Sequence, residues 1–245
     1  TGNLRSTKAY ASVAYHQMLG STGLLSAGFN LGYAGKQIAA DKLTFDNQWN
    51  GRFFDGATPS GEIFQNNSIG YFDLQAGLNY AYFPSDHVYL HAGFSMHHLN
   101  KPQETFFAAT PNYDNTITPR SIFFADAVVK LNNRVILTPS IYYSRQASAS
   151  EFVGGLQLNF NIVGAGDQQL IGAMYFRPGD AYIPMIGYQW KNFKFMFSYD
   201  VSNSPLKYFN NSRGATEMYM QYDGIYSTMY GGGRQSMCPT FTTGF

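Results

Sequence analysis

The sequence predicts an all-β chain, the wall of a transmembrane antiparallel up-and-down β-barrel, and three observations carry that prediction. Apolar residues alternate with polar or small ones in segment after segment, the period of two that marks an extended strand. In the clearest segment Phe193, Phe195, Phe197, Tyr199 and Val201 share one face, and Lys194, Met196, Ser198 and Asp200 share the other. Aromatic residues make up 17% of the 245 residues, with 19 Tyr and 21 Phe, against 13% charged, a balance foreign to a water-soluble domain. No apolar run reaches the roughly 18 residues of a spanning helix, and the mean hydropathy is −0.24. A barrel hides its hydrophobicity in alternation, apolar toward lipid and polar or small toward the lumen.

The segments follow in order. Residues 8–16 set Ala9, Ala11, Val13 and Tyr15 against Tyr10, Ser12, Ala14 and His16. After a turn at 20–23, Leu25, Ala27, Phe29, Leu31 and Tyr33 oppose Ser26, Gly28, Asn30, Gly32 and Ala34. The connection 35–70 is long and polar yet carries Phe45, Trp49, Phe53, Phe54 and Phe64, so it is expected to be folded. A third strand, Phe72 to Tyr82, turns at Pro84, Ser85 and Asp86 into a fourth, with Val88, Leu90, Ala92, Phe94 and Met96 on one face. Tyr89, His91, Gly93, Ser95 and His97 lie on the other, and a second long loop, 99–120, carries Phe106 and Phe107. Strands at 121–130 and 134–143 meet at Asn132 and Asn133, and a connection through Ala147 and Ser148 leads to a seventh over 152–162. Segments 169–177, 182–190 and 193–201 form a meander with short turns, and the loop 202–215 precedes a last strand at 216–223.

The count is about eleven strands of a length suited to a tilted bilayer crossing. Connections near 20, 85, 132, 165 and 191 read as short, and those near 52, 110, 148, 180 and 209 as equal or longer. Outer-membrane barrels carry short turns in the periplasm and long loops outside. Loops 35–70, 99–120 and 202–215 are therefore expected outside, with the barrel over 1–226 and a periplasmic tail over 227–245. Single-chain bacterial barrels have even strand numbers, so an odd number of strands is expected upstream of Thr1.

The residues offer little chemistry. The net charge is +1 with no basic cluster, so no nucleic-acid partner is expected. Cys238 is the single cysteine and has no disulfide partner in the chain. Alternation sends His97 and His98 to opposite faces, and His91 lies about 20 Å along the strand from His97, too far to share a metal. Asp41, Asp46, Asp55 and Glu62 lack the spacing of a calcium loop. No Gly-x-Ser-x-Gly string occurs, His16 and His87 stand beside no distinctive serine, and the glycines of 172–180 form no phosphate loop. No catalytic residue, metal or cofactor is assigned.

Several strings resemble the PorP/SprF family of type IX secretion membrane proteins: LSAGFNLGY at 25–33, KLTFDNQ at 42–48, YFDLQAG at 71–77 and HHLNKP at 97–102. LTPS at 137–140, IPMIGYQ at 183–189, SYD at 198–200 and CPTF at 238–241 continue the series in family order. The resemblance implies a bacterial outer-membrane barrel of the machinery that exports and displays proteins with a C-terminal sorting domain, in some members adhesins used in gliding. It also implies a signal peptide and about three further strands upstream, making about fourteen. One departure is at GATE, 214–217, where Thr216 stands at the family's His position, so any role of that His is not carried over.

Two functional classes follow. In the first, the barrel anchors an exported polypeptide through its external loops or its lumen and meets type IX periplasmic components through its tail, at Cys238, Pro239 and Phe241. In the second, it is a diffusion pore for small solutes, which would usually present charged rings. The predicted lumen face is instead Gly, Ser, Asn, Gln and Ala with few charges, which favours a filled or narrow lumen. Phe45, Trp49, Phe53, Phe54, Phe64, Phe106 and Phe107 either contact the partner or pack on one another over the barrel mouth.

Overall fold

Alternation becomes architecture in the computed structural model, which describes residues 3–62, 64–107, 115–163, 167–205 and 207–223. The strands are β1 (Leu4–Leu19), β2 (Gly23–Ile38), β3 (Ser68–Ser85), β4 (Val88–His97), β5 (Arg120–Lys130) and β6 (Val135–Gln146). They continue as β7 (Ala149–Asn161), β8 (Gln168–Arg177), β9 (Ala181–Trp190), β10 (Phe193–Ser202) and β11 (Arg213–Tyr222), with an α-helical turn, α1 (Lys207–Asn210), and 3-10 turns at Ala40–Lys42 and Asp46–Gln48. Each strand pairs antiparallel with the one before it, in the order β1 to β11. Among the described residues β1 and β11 are not paired with each other, and both are exposed along nearly their whole length.

The two faces differ as predicted. On β10, Phe193, Phe195 and Phe197 are exposed while Met196 and Ser198 are buried. Ile171, Gln169 and Asn161 are fully buried although no second layer covers the sheet. Only rolling of the sheet buries one face in this way, so the polar and small face is concave and the aromatic face convex. A ten-residue strand rises about 33 Å and, tilted by about 40°, covers the roughly 25 Å apolar band of an outer-membrane barrel.

The first three strands are longer, with 16, 16 and 18 residues. Residues 68–75 of β3 run on past the last β3–β4 pair, Ala76↔Met96, and stay paired with β2. That is about 25 Å of extra strand. β1, β2 and the start of β3 thus form a three-stranded wall beyond the end of β4. The strand extensions also trim two of the long connections, to 39–67 in place of the expected 35–70 and to 203–212 in place of 202–215, while the third, 98–119, is offset by one residue from the expected 99–120.

The expected alternation of loop lengths holds only in part. The connections 147–148 and 178–180 lie at the same end of the sheet as the three long ones, yet they are shorter than 131–134 and 162–167 at the opposite end. Between β6 and β7 the ladder runs to Gln146↔Ala149, and Ala147 closes a two-residue turn at φ 52°. The three long connections still share one end, because each joins an even-numbered strand to the next odd one.

Candidate functional site

The long-loop end is where the chain departs from a plain barrel wall. In the connection 39–67, Gln48 is a buried hub. Its Oε1 accepts the Phe45 N–H at 2.9 Å, its Nε2 donates to the Thr58 carbonyl at 2.8 Å, and its own carbonyl accepts the Asp55 N–H at 2.9 Å. Every polar group that burial strips of water is thereby satisfied. The hub roots a small hairpin in which Trp49 bridges Phe54, and Asn50 Oδ1 accepts the N–H groups of Arg52 and Phe53, both at 3.0 Å.

The seven aromatic residues singled out in the sequence divide into two sets. Phe45 meets Phe64 at 6.4 Å between ring centroids, and Phe64 stacks on Phe107 at 5.1 Å. The Phe106 carbonyl accepts the N–H groups of Gln65 and Asn66 at 3.0 and 3.3 Å, so these four aromatics join the two longest loops into one cap. On the hairpin Trp49 packs on Phe54 at 5.2 Å, and Trp49, Phe53 and Phe54 are 49%, 56% and 51% exposed, close to the 47% of Phe107 in the cap. The loop 203–212 adds two aromatics that sequence reasoning missed, Tyr208 and Phe209, which α1 presents at 78% and 88% exposure. That loop was recognised as long, and its aromatic pair was the available signal.

From the end of β4 the chain runs on along the edge of β3 that β4 has left, and its side chains reach onto the concave face. His98 and Lys101 take φ of 57° and 45°, and the strap 98–107 that they begin runs along β3. The Asn100 side chain replaces a missing strand there: its Oδ1 accepts the Leu74 N–H at 3.0 Å and its Nδ2 donates to the Phe72 carbonyl at 2.7 Å. Glu104 Oε2 accepts Tyr71 O–H at 2.7 Å, and Oε1 pairs with Lys36 Nζ. Burial pushes the Glu104 carboxyl up, but hydrogen bonds from Lys36 and Tyr71 outweigh it and hold the group below its ordinary value.

His98 overturns an expectation. Strand alternation was to place it opposite His97, but β4 ends at His97, and the positive φ returns the His98 ring to the concave side. Its Nδ1 lies 2.8 Å from Asp73 Oδ1, and its ring centroid is 6.4 Å from that of His97. Asp73, with a side chain 1% exposed, also accepts Gln75 Nε2 at 3.0 Å and Tyr10 O–H at 3.3 Å. Tyr10 reaches it from β1 across β2 because Gly32 lies between; a Cβ at Gly32 would fall 2.1 Å from the Tyr10 ring. Among the described residues no three His, Cys, Asp or Glu side chains gather as a metal site.

The band continues around the concave wall. Arg120 donates to Tyr142 and Ser144 at 3.0 and 3.1 Å and stands 4.0 Å from Glu151. Arg177 pairs with Asp180 at 2.5 Å and lies within 3.8 Å of Glu151 and Asp200. Against the expected lumen with few charges, charges collect at the long-loop end, and mid-strand Asp126, 2.9 Å from His91, and Glu217 also stand on the concave face. The missed signal was positional, since Asp73, Arg120, Glu151, Arg177 and Asp200 are all concave-facing residues close to that end of their strands. Cys238, Pro239 and Phe241, with the tail 227–245, lie outside the described residues.

The profile of the family described as type IX secretion system membrane protein PorP/SprF matches residues 1–222. The chain belongs to that family. As a PorP/SprF protein it is a membrane component of the type IX secretion system, and its β-only crossing places it in the bacterial outer membrane. No individually curated protein matches it. Among solved structures, a TodX deltaS2S3 mutant monoaromatic hydrocarbon channel matches with a TM-score of 0.43 and 7% identity, over 80% of this chain and 65% of that one. The PorP/SprF chain therefore spans less than two thirds of that channel's length.

Proposed function

We propose that this PorP/SprF barrel anchors an exported polypeptide carrying a C-terminal sorting domain at the cell surface, and is neither an enzyme nor a general pore. In this reading loops 39–67, 98–119 and 203–212 are external. The tail 227–245, with Cys238, Pro239 and Phe241, is periplasmic and meets type IX periplasmic components. No cofactor and no nucleic acid take part. The observation that carries the reading is the hairpin: Trp49, Phe53 and Phe54 are about half exposed while the Gln48 hub and the Asn50 side chain hold their backbone in place. Large aromatics displayed on a pre-ordered loop lose little conformational freedom on binding, and such residues dominate protein interfaces. Tyr208 and Phe209 extend the same surface.

The test is mild-detergent purification of the tagged native protein followed by mass spectrometry. A large exported protein with a C-terminal sorting domain, or type IX periplasmic components, is expected to accompany it. Capture of the exported protein is expected to fall when Trp49, Phe53 and Phe54 are replaced together by Ser. Isolation alone, combined with solute conductance in planar bilayers, would overturn the anchoring role in favour of a pore.

A further inference from the structure

The strap is held from two sides. On the concave wall Glu104 is seated on Tyr71 and Lys36, and Asp73 holds His98 at the strap's root. On the surface side the next residues of the strap carry the other loop, through the Phe106 carbonyl to Gln65 and Asn66 and through Phe107 to Phe64. Phe64 meets Phe45, the Phe45 N–H is bound by Gln48, and Gln48 roots the hairpin that displays Trp49. An unbroken run of contacts therefore joins the lumen wall to the exposed aromatics.

We infer that the strap 98–107 is a latch coupling lumen occupancy to presentation of the Trp49–Phe54 hairpin. Seated, it closes the concave face over β2 and β3 and fixes the hairpin; displaced, it frees both. Three features suit it to two positions. The Lys36 and Glu104 side chains are 21% and 25% exposed, so the pair is partly desolvated yet within reach of water and of a competitor. The strap begins with two non-glycine residues at positive φ, a strained state that persists only where surrounding contacts enforce it. Among the described residues its own ribbon is held by the Gln103↔Thr116 bridge and by bonds from Glu104 N–H to Asn115 and from Ile117 N–H to Pro102.

The competitor is defined by the same wall. Lys8 on β1, opposite Ala34, shares the concave face with Lys36 two residues along the ladder, so two cations stand on the wall where Glu104 is seated. A chain segment bearing carboxylates that enters the lumen finds that pair of lysines and takes the place of Glu104. The biological meaning rests on the hairpin being the partner surface; the coupling is a property of this chain alone and is measured without a partner.

The protein has two tryptophans, Trp49 and Trp190, so the full-length protein with Trp190→Phe, in lipid nanodiscs, reports on the hairpin by itself. Glu104→Gln and Lys36→Met are each expected to speed amide exchange at Lys101, Gln65 and Asn66 about tenfold and to raise acrylamide quenching of Trp49 about twofold. The swapped pair Lys36→Glu with Glu104→Lys should return both toward the parent. Faster exchange in the strap with unchanged Trp49 quenching would overturn the coupling. Unchanged strap exchange in Glu104→Ala with Asp73→Ala, which removes both side-chain anchors on the concave wall and leaves the Leu99 and Asn100 bonds to β3, would overturn the latch.

Discussion

Gly155 and Gly172 lie on neighbouring strands but on opposite faces, and replacing each by Ala tests the face assignment directly. At Gly155, on the concave side of β7, a Cβ would fall 2.6 Å from the Met174 carbonyl and 2.3 Å from the Tyr175 ring. The carbonyl belongs to the paired strand and cannot swing aside, so the β7–β8 pair must shift. Overpacking of this kind costs about 1–3 kcal/mol, offset by the roughly 0.5–1 kcal/mol that Ala gains over Gly within a strand. At Gly172, on the convex face of β8, a Cβ meets nothing within 4 Å, so that gain stands unopposed. Gly155→Ala is therefore expected to lower stability by up to about 2.5 kcal/mol and Gly172→Ala to raise it by about 0.5–1 kcal/mol. Urea unfolding of the purified protein in a folded-barrel detergent, followed by gel mobility without boiling, measures both. If Gly155→Ala matches the parent while Gly172→Ala is the destabilised variant, the concave and convex faces have been exchanged and the reasoning fails.

Three further predictions follow from the same geometry. Phe197→Arg, mid-strand on the lipid-facing side, should cost about 2–4 kcal/mol in a folding titration, whereas Phe209→Arg on α1 should change stability by less than about 0.5 kcal/mol; equal costs would place α1 in the bilayer. Because Glu104 is held below its ordinary value, its contribution is full above the unfolded value near 4.3 and is lost as pH falls through the lower folded value. Trp49 emission in the Trp190→Phe protein should thus stay constant from about pH 7 to 5 and change only below about pH 4, and a transition near neutrality would contradict that assignment. In intact cells of a Cys238→Ser strain, Asp55→Cys should be labelled by a membrane-impermeant maleimide, and failure to label would invert the proposed topology.

The strands were legible because a period of two is a local property. Lipid on one side and a crowded lumen on the other impose it residue by residue, so Phe193 to Val201 declared both the strand and its faces. The same logic explains where reading stopped. Residues 35–38 and 68–70 carry no apolar alternation, yet they are strand, because there the β1–β3 wall stands past the end of β4 and hydrogen bonding to the neighbouring strand replaces lipid as the cause of extension. The seven loop aromatics were legible as a group, but which of them pack on one another, Phe45 with Phe64, Phe64 with Phe107 and Trp49 with Phe54, was not.

What the sequence determined by itself is the all-β class, the eleven segments, the two faces and the family pattern. What only the tertiary structure decided is the polar band and the strap. Tyr10 and Asp73 are 63 residues apart in the chain, and Lys36 and Glu104 are 68 apart. Register across β1, β2 and β3 sets the first pair on one level, with Gly32 leaving the gap between them. The positive φ at His98 turns the strap inward and brings Glu104 to Lys36. Neither event has a local sequence period, since each depends on which residue of a neighbouring strand stands opposite, a choice made by the whole ladder rather than by any segment of it.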